Sequence, residues 1–187
     1  EHITIKLVAV IILLCTITEG AVSYNSCKYK SKWKCYYYHN CGGKQKLGIE
    51  IVNIAIDEVV DAYNAIADTP SDCATLAEKA TTKATKEAVP GAVKLYYALK
   101  EVVSRHRLNG FTIRCFDLLG VVRNTSCYAL ARLNAEGIVA GCEGDIPTLL
   151  TMMITKAVTG VSGFQANPSR IDPKTGEMLV AHCTIPL

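Results

Sequence analysis

Residues 137–160 read GIVAGCEGDIPTLLTMMITKAVTG. The first six, GIVAGC, are apolar, small or β-branched without interruption, the pattern of a strand buried on both faces. Two carboxylates follow, Glu143 and Asp145, and then apolar residues resume at helical spacing. Asp145 stands where an N-cap belongs, Pro147 falls in the first turn, where a missing N–H costs little, and Gly160 marks the end. A buried strand, a short polar turn and a capped helix predict an α/β unit.

Working outward, the same alternation continues. FTIRCF (111–116) is a strand, and Asn124 is expected to cap a short helix bearing Cys127, Leu130, Ala131 and Asn134. Upstream, GIEIVNI (48–54) is a strand, and Asp57 caps a helix whose apolar face is Val59, Val60, Tyr63 and Ile66. Pro70 and Ser71 open a further helix with Cys73, Leu76, Ala80 and Ala84 on one side, which Pro90 is expected to break. The next carries Ala92, Leu95, Tyr96, Leu99, Val102 and Val103 and closes at Asn109-Gly110. Downstream, GFQAN (163–167) and EMLVAHC (177–183) are short strands joined through a turn at Pro173–Gly176. Residues 47–187 are therefore predicted to form an α/β domain, a mostly parallel sheet with helices on both faces. No internal repeat is visible.

Residues 1–46 show another pattern. KLVAVIILLCTI (6–17) reads as a buried strand in preference to a signal peptide, since Glu19 sits badly for a small-residue cleavage site. Its apolar run is short for a membrane span. SYNSCKYKSKWKCYYYHNCGGK (23–44) has no apolar periodicity and is expected to be irregular and poorly packed. Between Ser23 and Gly48 there are six lysines and no acid, so the remainder holds 20 − 6 = 14 Lys and Arg against 17 Asp and Glu. With a net charge of +3 over 187 residues, no general nucleic-acid-binding surface is implied.

The nine cysteines sort into groups, with Cys15 in the first apolar run. Cys73, Cys115, Cys127, Cys142 and Cys183 lie inside apolar patterns and read as buried thiols packing as small hydrophobes. Cys27, Cys35 and Cys41 cluster with His39, at intervals unlike those of common zinc modules. The odd total favours a reducing compartment. No G-x-G-x-x-G follows the first strand and no Walker-type loop is present.

Polar residues gather at predicted strand ends. Arg114 and Asp117 flank the end of FTIRCF, Glu143 and Asp145 follow IVAGC, Asn167 ends GFQAN, and His182 lies near the end of EMLVAHC. Ligands of open α/β sheets bind beyond the carboxyl ends of the strands. Two carboxylates, an amide and an imidazole there suit proton transfer or a divalent ion such as Mn²⁺ or Mg²⁺. Each has a plainer reading: Asp145 as a helix cap, Arg114 and Asp117 as an ion pair, His182 as a core histidine bonded to backbone, Asn167 as a turn residue. Glu143, between Cys142 and Gly144, has no such structural excuse.

GFTIRCFDLLG (110–120), the run 124–160 and NPSRIDPKTGEMLVAHCTIP (167–186) resemble the L-fucose/L-arabinose isomerase-like proteins, especially their archaeal branch. The similarity extends upstream through LGIEIVNIAIDEVVDAY (47–63) and covers roughly residues 44–187. The resemblance implies a cytoplasmic, oligomeric aldose–ketose isomerase acting on a small-molecule sugar with Mn²⁺, without nucleic-acid or membrane partners. Its metal-binding Glu maps onto Glu143. Its Asp falls 24 positions later, on Asn167, a weaker neutral ligand. Asp117 would be the second catalytic carboxylate, and Arg114 and His182 substrate-side groups. The resemblance also implies a full α/β domain where residues 1–46 stand and further chain after HCTIPL, so the sequence reads as a truncated or rearranged isomerase retaining its central domain. A non-catalytic sugar- or metal-binding remnant and a small secreted disulfide-bonded protein are the rival expectations.

Overall fold

The computed structural model describes residues 51–67 and 71–187. The expectations for residues 1–46 lie outside the described residues. A compact unit spans Ile54–Leu187 and holds every helix and strand among the described residues.

Its helices are α1 (Ile56–Ala65), α2 (Cys73–Lys79), α3 (Lys83–Arg105), α4 (Asp117–Val122), α5 (Cys127–Ala135) and α6 (Ile146–Thr159). Its strands are β1 (Gly110–Ile113), β2 (Val139–Cys142), β3 (Asn167–Ile171) and β4 (Met178–Ala181). β1 and β2 pair in parallel, with Ile113 opposite Cys142, while β3 and β4 form an antiparallel hairpin. Pleating divides the faces of the parallel pair. Phe111, Ile113, Ala140 and Cys142 join the main core with Leu95, Leu99, Leu118, Leu130 and Leu133 from α3, α4 and α5. On the other face, Gly141 lies against Thr112 and Leu149 of α6. Helices thus cover both faces, as the α/β reading requires, and the sheet among the described residues is two strands wide.

Several expected boundaries move. The described part of GIEIVNI, Ile51–Ile54, is not a strand. α1 starts at Ile56 with Ala55 as N-cap, so Asp57 lies inside the first turn beside Glu58, where both acids still complement the helix dipole. The break expected at Pro90 falls earlier, and a new helix starts at Thr82, whose hydroxyl accepts from the Thr85 N–H at 3.1 Å. α3 then runs through Pro90. Losing that N–H is tolerable because the tertiary packing of the long helix outweighs it: Val93, Leu95, Tyr96, Ala98, Leu99 and Val102 are all buried. Gly91 also leaves room for Asn124, which donates to the Ala88 carbonyl at 2.9 Å instead of capping α5. Ser126 takes the cap position. α3 ends at Arg105 rather than at Asn109-Gly110, and α4 was not anticipated. GFQAN is not a strand: residues 163–166 are irregular and β3 begins at Asn167, and β3 and β4 do not extend the parallel sheet but form a hairpin exposed along its whole length.

A polar cluster ties α2, α3 and α5 together. The Arg132 guanidinium sits 4.0 Å from the centre of the Tyr96 ring and pairs with Asp72. The Tyr96 hydroxyl donates to Glu136 at 2.6 Å, and Lys100 donates to the same carboxylate at 2.7 Å. Partial burial pushes the Glu136 carboxyl up, but Lys100, Tyr96 and Arg132 together hold it below the ordinary value. As pH falls, the unfolded chain protonates this group first. Its stabilisation is therefore complete above the unfolded value, about 4.3, and is lost as pH drops through the lowered native value. Glu136→Gln is expected to cost about 0.5–1 kcal/mol at pH 7, the size of a screened network contact. It should also flatten the acid limb of stability below pH about 4.5, as read from urea midpoints at successive pH values.

Candidate functional site at the carboxyl edge of the parallel strands

Because β1 and β2 are parallel, the residues that come after them emerge at one edge. Arg114 and Asp117 follow β1, and Glu143, Gly144 and Asp145 follow β2. The Gly144 N–H donates to the Ile113 carbonyl at 3.2 Å, which stitches the two ends together. The turn after β2 is tight. Glu143 and Gly144 have φ of 62° and 72°, and the Asp145 N–H closes back on the Cys142 carbonyl at 3.2 Å. Two successive left-handed residues suit Asn-Gly; a glutamate there is strained. Gly144 is required twice over, because a Cβ would also stand 3.0 Å from Arg114 Cγ. Arg114 thus lies against the turn, and its guanidinium pairs with Asp117 at 3.0 Å.

Asp145 is the helix cap that its position suggests. One carboxylate oxygen accepts from the Thr148 N–H at 2.9 Å and the other from the Thr148 hydroxyl at 2.7 Å. Asp145→Asn should change stability by only a few tenths of a kcal/mol, whereas Asp145→Ala should cost about 1 kcal/mol; chemical denaturation of both variants checks the contrast.

The Glu143 side chain is 50% exposed, while the His182 side chain, 8% exposed, lies behind it with Nε2 3.8 Å from Glu143 Oε1. Among the described residues the His182 ring makes no hydrogen bond to backbone; its Nδ1 faces Cys183 Sγ at 3.5 Å. Asn167 pairs with Ala181 in the hairpin ladder, one residue from His182, and is exposed. The structure thus joins Arg114 to Asp117, sets Arg114 against the Glu143–Gly144 turn, and brings His182 to Glu143. It records no direct contact between Asn167 and the carboxylates.

A buried network holds this edge. Asn134 donates to the carbonyls of Ala140 at 2.8 Å and Thr184 at 3.0 Å, and accepts from Ala140 N–H at 2.9 Å and Ser162 Oγ at 3.0 Å. Gln165 accepts from the Cys142 N–H at 2.8 Å, and Thr184 Oγ1 donates to the Gln165 carbonyl at 2.8 Å. Next to it stand thiols that their apolar sequence surroundings present as plain packing. Cys142 Sγ is 3.0 Å from Cys115 Sγ and 3.7 Å from Cys183 Sγ. The neighbouring Cys127 thiol tends to lower that of Cys183, but Cys142 and burial outweigh it and push Cys183 up to about 11. The adjacency of His182 and Cys183 was the available signal; their meeting with Cys142 depends on the chain's return after β4.

The chemistry of the edge is that of an α/β domain presenting carboxylates and donors beyond its strand ends. The L-arabinose isomerase central domain matches residues 39–161, more than half of the chain, and the chain belongs to that family. It is also similar to a sulfoquinovose isomerase of Clostridium sp. (strain MSTE9), 26% identical over 141 residues that cover 73% of this chain and 32% of the relative. A sulfoquinovose isomerase of Alkalicoccus urumqiensis is 25% identical over 88 residues, 46% of this chain and 20% of the relative. The chain thus spans a third or less of the length of these relatives. Neither speaks for an archaeal branch. No solved structure matches. Among the described residues, no helix is long and apolar enough to cross a membrane.

Mn²⁺, which the resemblance implies, takes hard oxygen and nitrogen donors. The half-exposed Glu143 carboxylate and the exposed Asn167 amide fit it in donor type. Among the described residues, no group of three His, Cys, Asp or Glu side chains forms around Glu143, so further ligands would have to come from the amide, water or substrate.

Proposed function

We propose that this chain serves aldose–ketose interconversion in carbohydrate metabolism, with Glu143 at the centre of the site. The observation that carries the reading is Glu143 itself: a half-exposed carboxylate kept at a left-handed backbone position, at the strand edge where α/β domains bind ligands. Glu143 takes the proton from C2 of the open-chain aldose, giving an ene-diol, exchanges it with solvent and delivers a proton to C1 to give the ketose. Asp117 is the second carboxylate for proton exchange with the sugar hydroxyls. Arg114, oriented by Asp117, and His182, behind Glu143, are the groups that would hydrogen-bond the sugar oxygens. Glu143 and Asn167 would hold Mn²⁺, which when bound supplies positive charge to polarise the sugar's O1 and O2. The reading carries with it a cytoplasmic setting and homo-oligomeric assembly.

The test is conversion of a panel of aldoses, including sulfoquinovose because of the relatives' names, with and without Mn²⁺. Ketose formation that requires Mn²⁺ supports the reading. Mn²⁺ or sugar binding without turnover would instead favour a non-catalytic domain.

A further inference from the structure

Behind the edge, Cys142, His182 and Cys183 each offer one donor atom, all three atoms lying within 4.8 Å of one another. We propose that these three side chains form a Zn²⁺ site, distinct from the Mn²⁺ ligands Glu143 and Asn167 in its donors and in the softness of the ion it takes, with the Nε2 side of His182 still facing the Glu143 edge.

Two of the three ligand–ligand distances match the ion, and the third lies within 4.8 Å. Zn–S and Zn–N bonds of about 2.3 and 2.05 Å in a tetrahedron require S···S and S···N edges of about 3.8 and 3.6 Å. The structure has 3.7 Å from Cys142 Sγ to Cys183 Sγ and 3.5 Å from Cys183 Sγ to His182 Nδ1. The remaining ring nitrogen, Nε2, faces the Glu143 carboxylate at 3.8 Å. Metal-bound imidazoles usually direct their second N–H at a carboxylate, and Glu143 is the carboxylate on that side, less than about 1 Å beyond hydrogen-bond distance. The His182 side chain is 8% exposed, with Nδ1 against the Cys183 thiol and Nε2 turned toward the Glu143 carboxylate, so the ring is already oriented to offer Nδ1 to a metal.

The donors are also held in place. Cys142 ends β2, and its N–H is bound by Gln165; Thr184, directly after Cys183, is fully buried and bound by Asn134 and Gln165. Cys115, although 3.0 Å from Cys142, does not join the three within their common radius. The site therefore has three protein ligands and an open fourth position. Thiolate and imidazole donors select Zn²⁺ over Mn²⁺.

The test uses the full chain under reducing conditions with Cys15, Cys27, Cys35 and Cys41 replaced by Ser, so that the N-terminal thiols cannot contribute. Titration with Co²⁺ should give one equivalent of a tetrahedral complex with a thiolate-to-cobalt charge-transfer band, and Zn²⁺ should bleach it. Cys142→Ala, Cys183→Ala and His182→Ala should each weaken Co²⁺ binding by more than the roughly 10–100-fold that loss of an outer-shell partner costs. Cys73→Ala, in a separate core cluster, should leave it unchanged. Alkylation of the same Ser-substituted chain, followed by mass spectrometry, requires no further variant: Zn²⁺ should protect Cys142 and Cys183 but not Cys73. The absence of a charge-transfer band, a band that survives Cys142→Ala and Cys183→Ala, or equal alkylation with and without Zn²⁺ would overturn the proposal.

Discussion

Glu143→Gln is expected to lower kcat for aldose–ketose interconversion by about 10²–10⁴-fold, the contribution of a positioned acid–base group. Glutamine keeps the size of the side chain but cannot accept the C2 proton, and it offers a neutral oxygen in place of a charged one. Mn²⁺ affinity, measured by calorimetric titration, should fall with it. Asn167→Asp should move affinity the other way by supplying a charged oxygen. A second readout separates this from a structural role. Glu143 occupies a left-handed position that asparagine adopts more readily. Glu143→Asn should therefore leave stability unchanged or raise it by about 0.5–1 kcal/mol while abolishing turnover, the signature of strain kept at a functional site. A Glu143→Asn chain that is both destabilised and active would show that the carboxylate is structural.

Asn134→Ala should be the most destabilising change at this edge, by about 3–5 kcal/mol, since each buried polar group left without a partner costs about 1–3 kcal/mol. The amide serves the N–H and C=O of Ala140, the Thr184 carbonyl and the Ser162 hydroxyl, and Asn134 is itself 3% exposed. Alanine would leave four partners to compete for one another. Removing the Thr184 contact should also loosen the segment that carries His182 and Cys183. Urea unfolding gives the stability change. Faster alkylation of Cys183 in the folded variant would report the loosening. Thr184→Val, which removes only the hydrogen bond to the Gln165 carbonyl, should cost less, about 1–2 kcal/mol.

The β2–turn–α6 unit was legible because local chemistry determines it: an unbroken apolar strand, an aspartate with a threonine three residues later, a proline in the first turn and a glycine at the end. The pairing of β1 with β2 followed from the alternation. What escaped the reading depended on tertiary partners. Pro90 looks like a breaker until the buried face of α3 and the approach of Asn124 are known. EMLVAHC and the segment around Asn167 carry strand-like residues, yet their partners are each other, an arrangement that composition alone does not separate from sheet extension. The strand ends put Arg114, Asp117 and Glu143 at one edge, because parallel strands present their ends together. The sequence singles out His182, but not its thiol neighbours. A cysteine in an apolar run looks the same whether it packs against leucine or against another sulfur.

The central claim is that Glu143 moves a proton between C2 and C1 of a sugar. The most direct measurement is proton NMR of aldose turnover in D₂O with Mn²⁺ present, comparing the chain with Glu143→Gln. A carboxylate base exchanges its proton with solvent during the lifetime of the ene-diol, so the ketose should carry deuterium at C1, and Glu143→Gln should form neither ketose nor deuterated aldose at a comparable rate. Ketose formed without deuterium at C1, or deuterium incorporation undiminished in Glu143→Gln, would contradict the account.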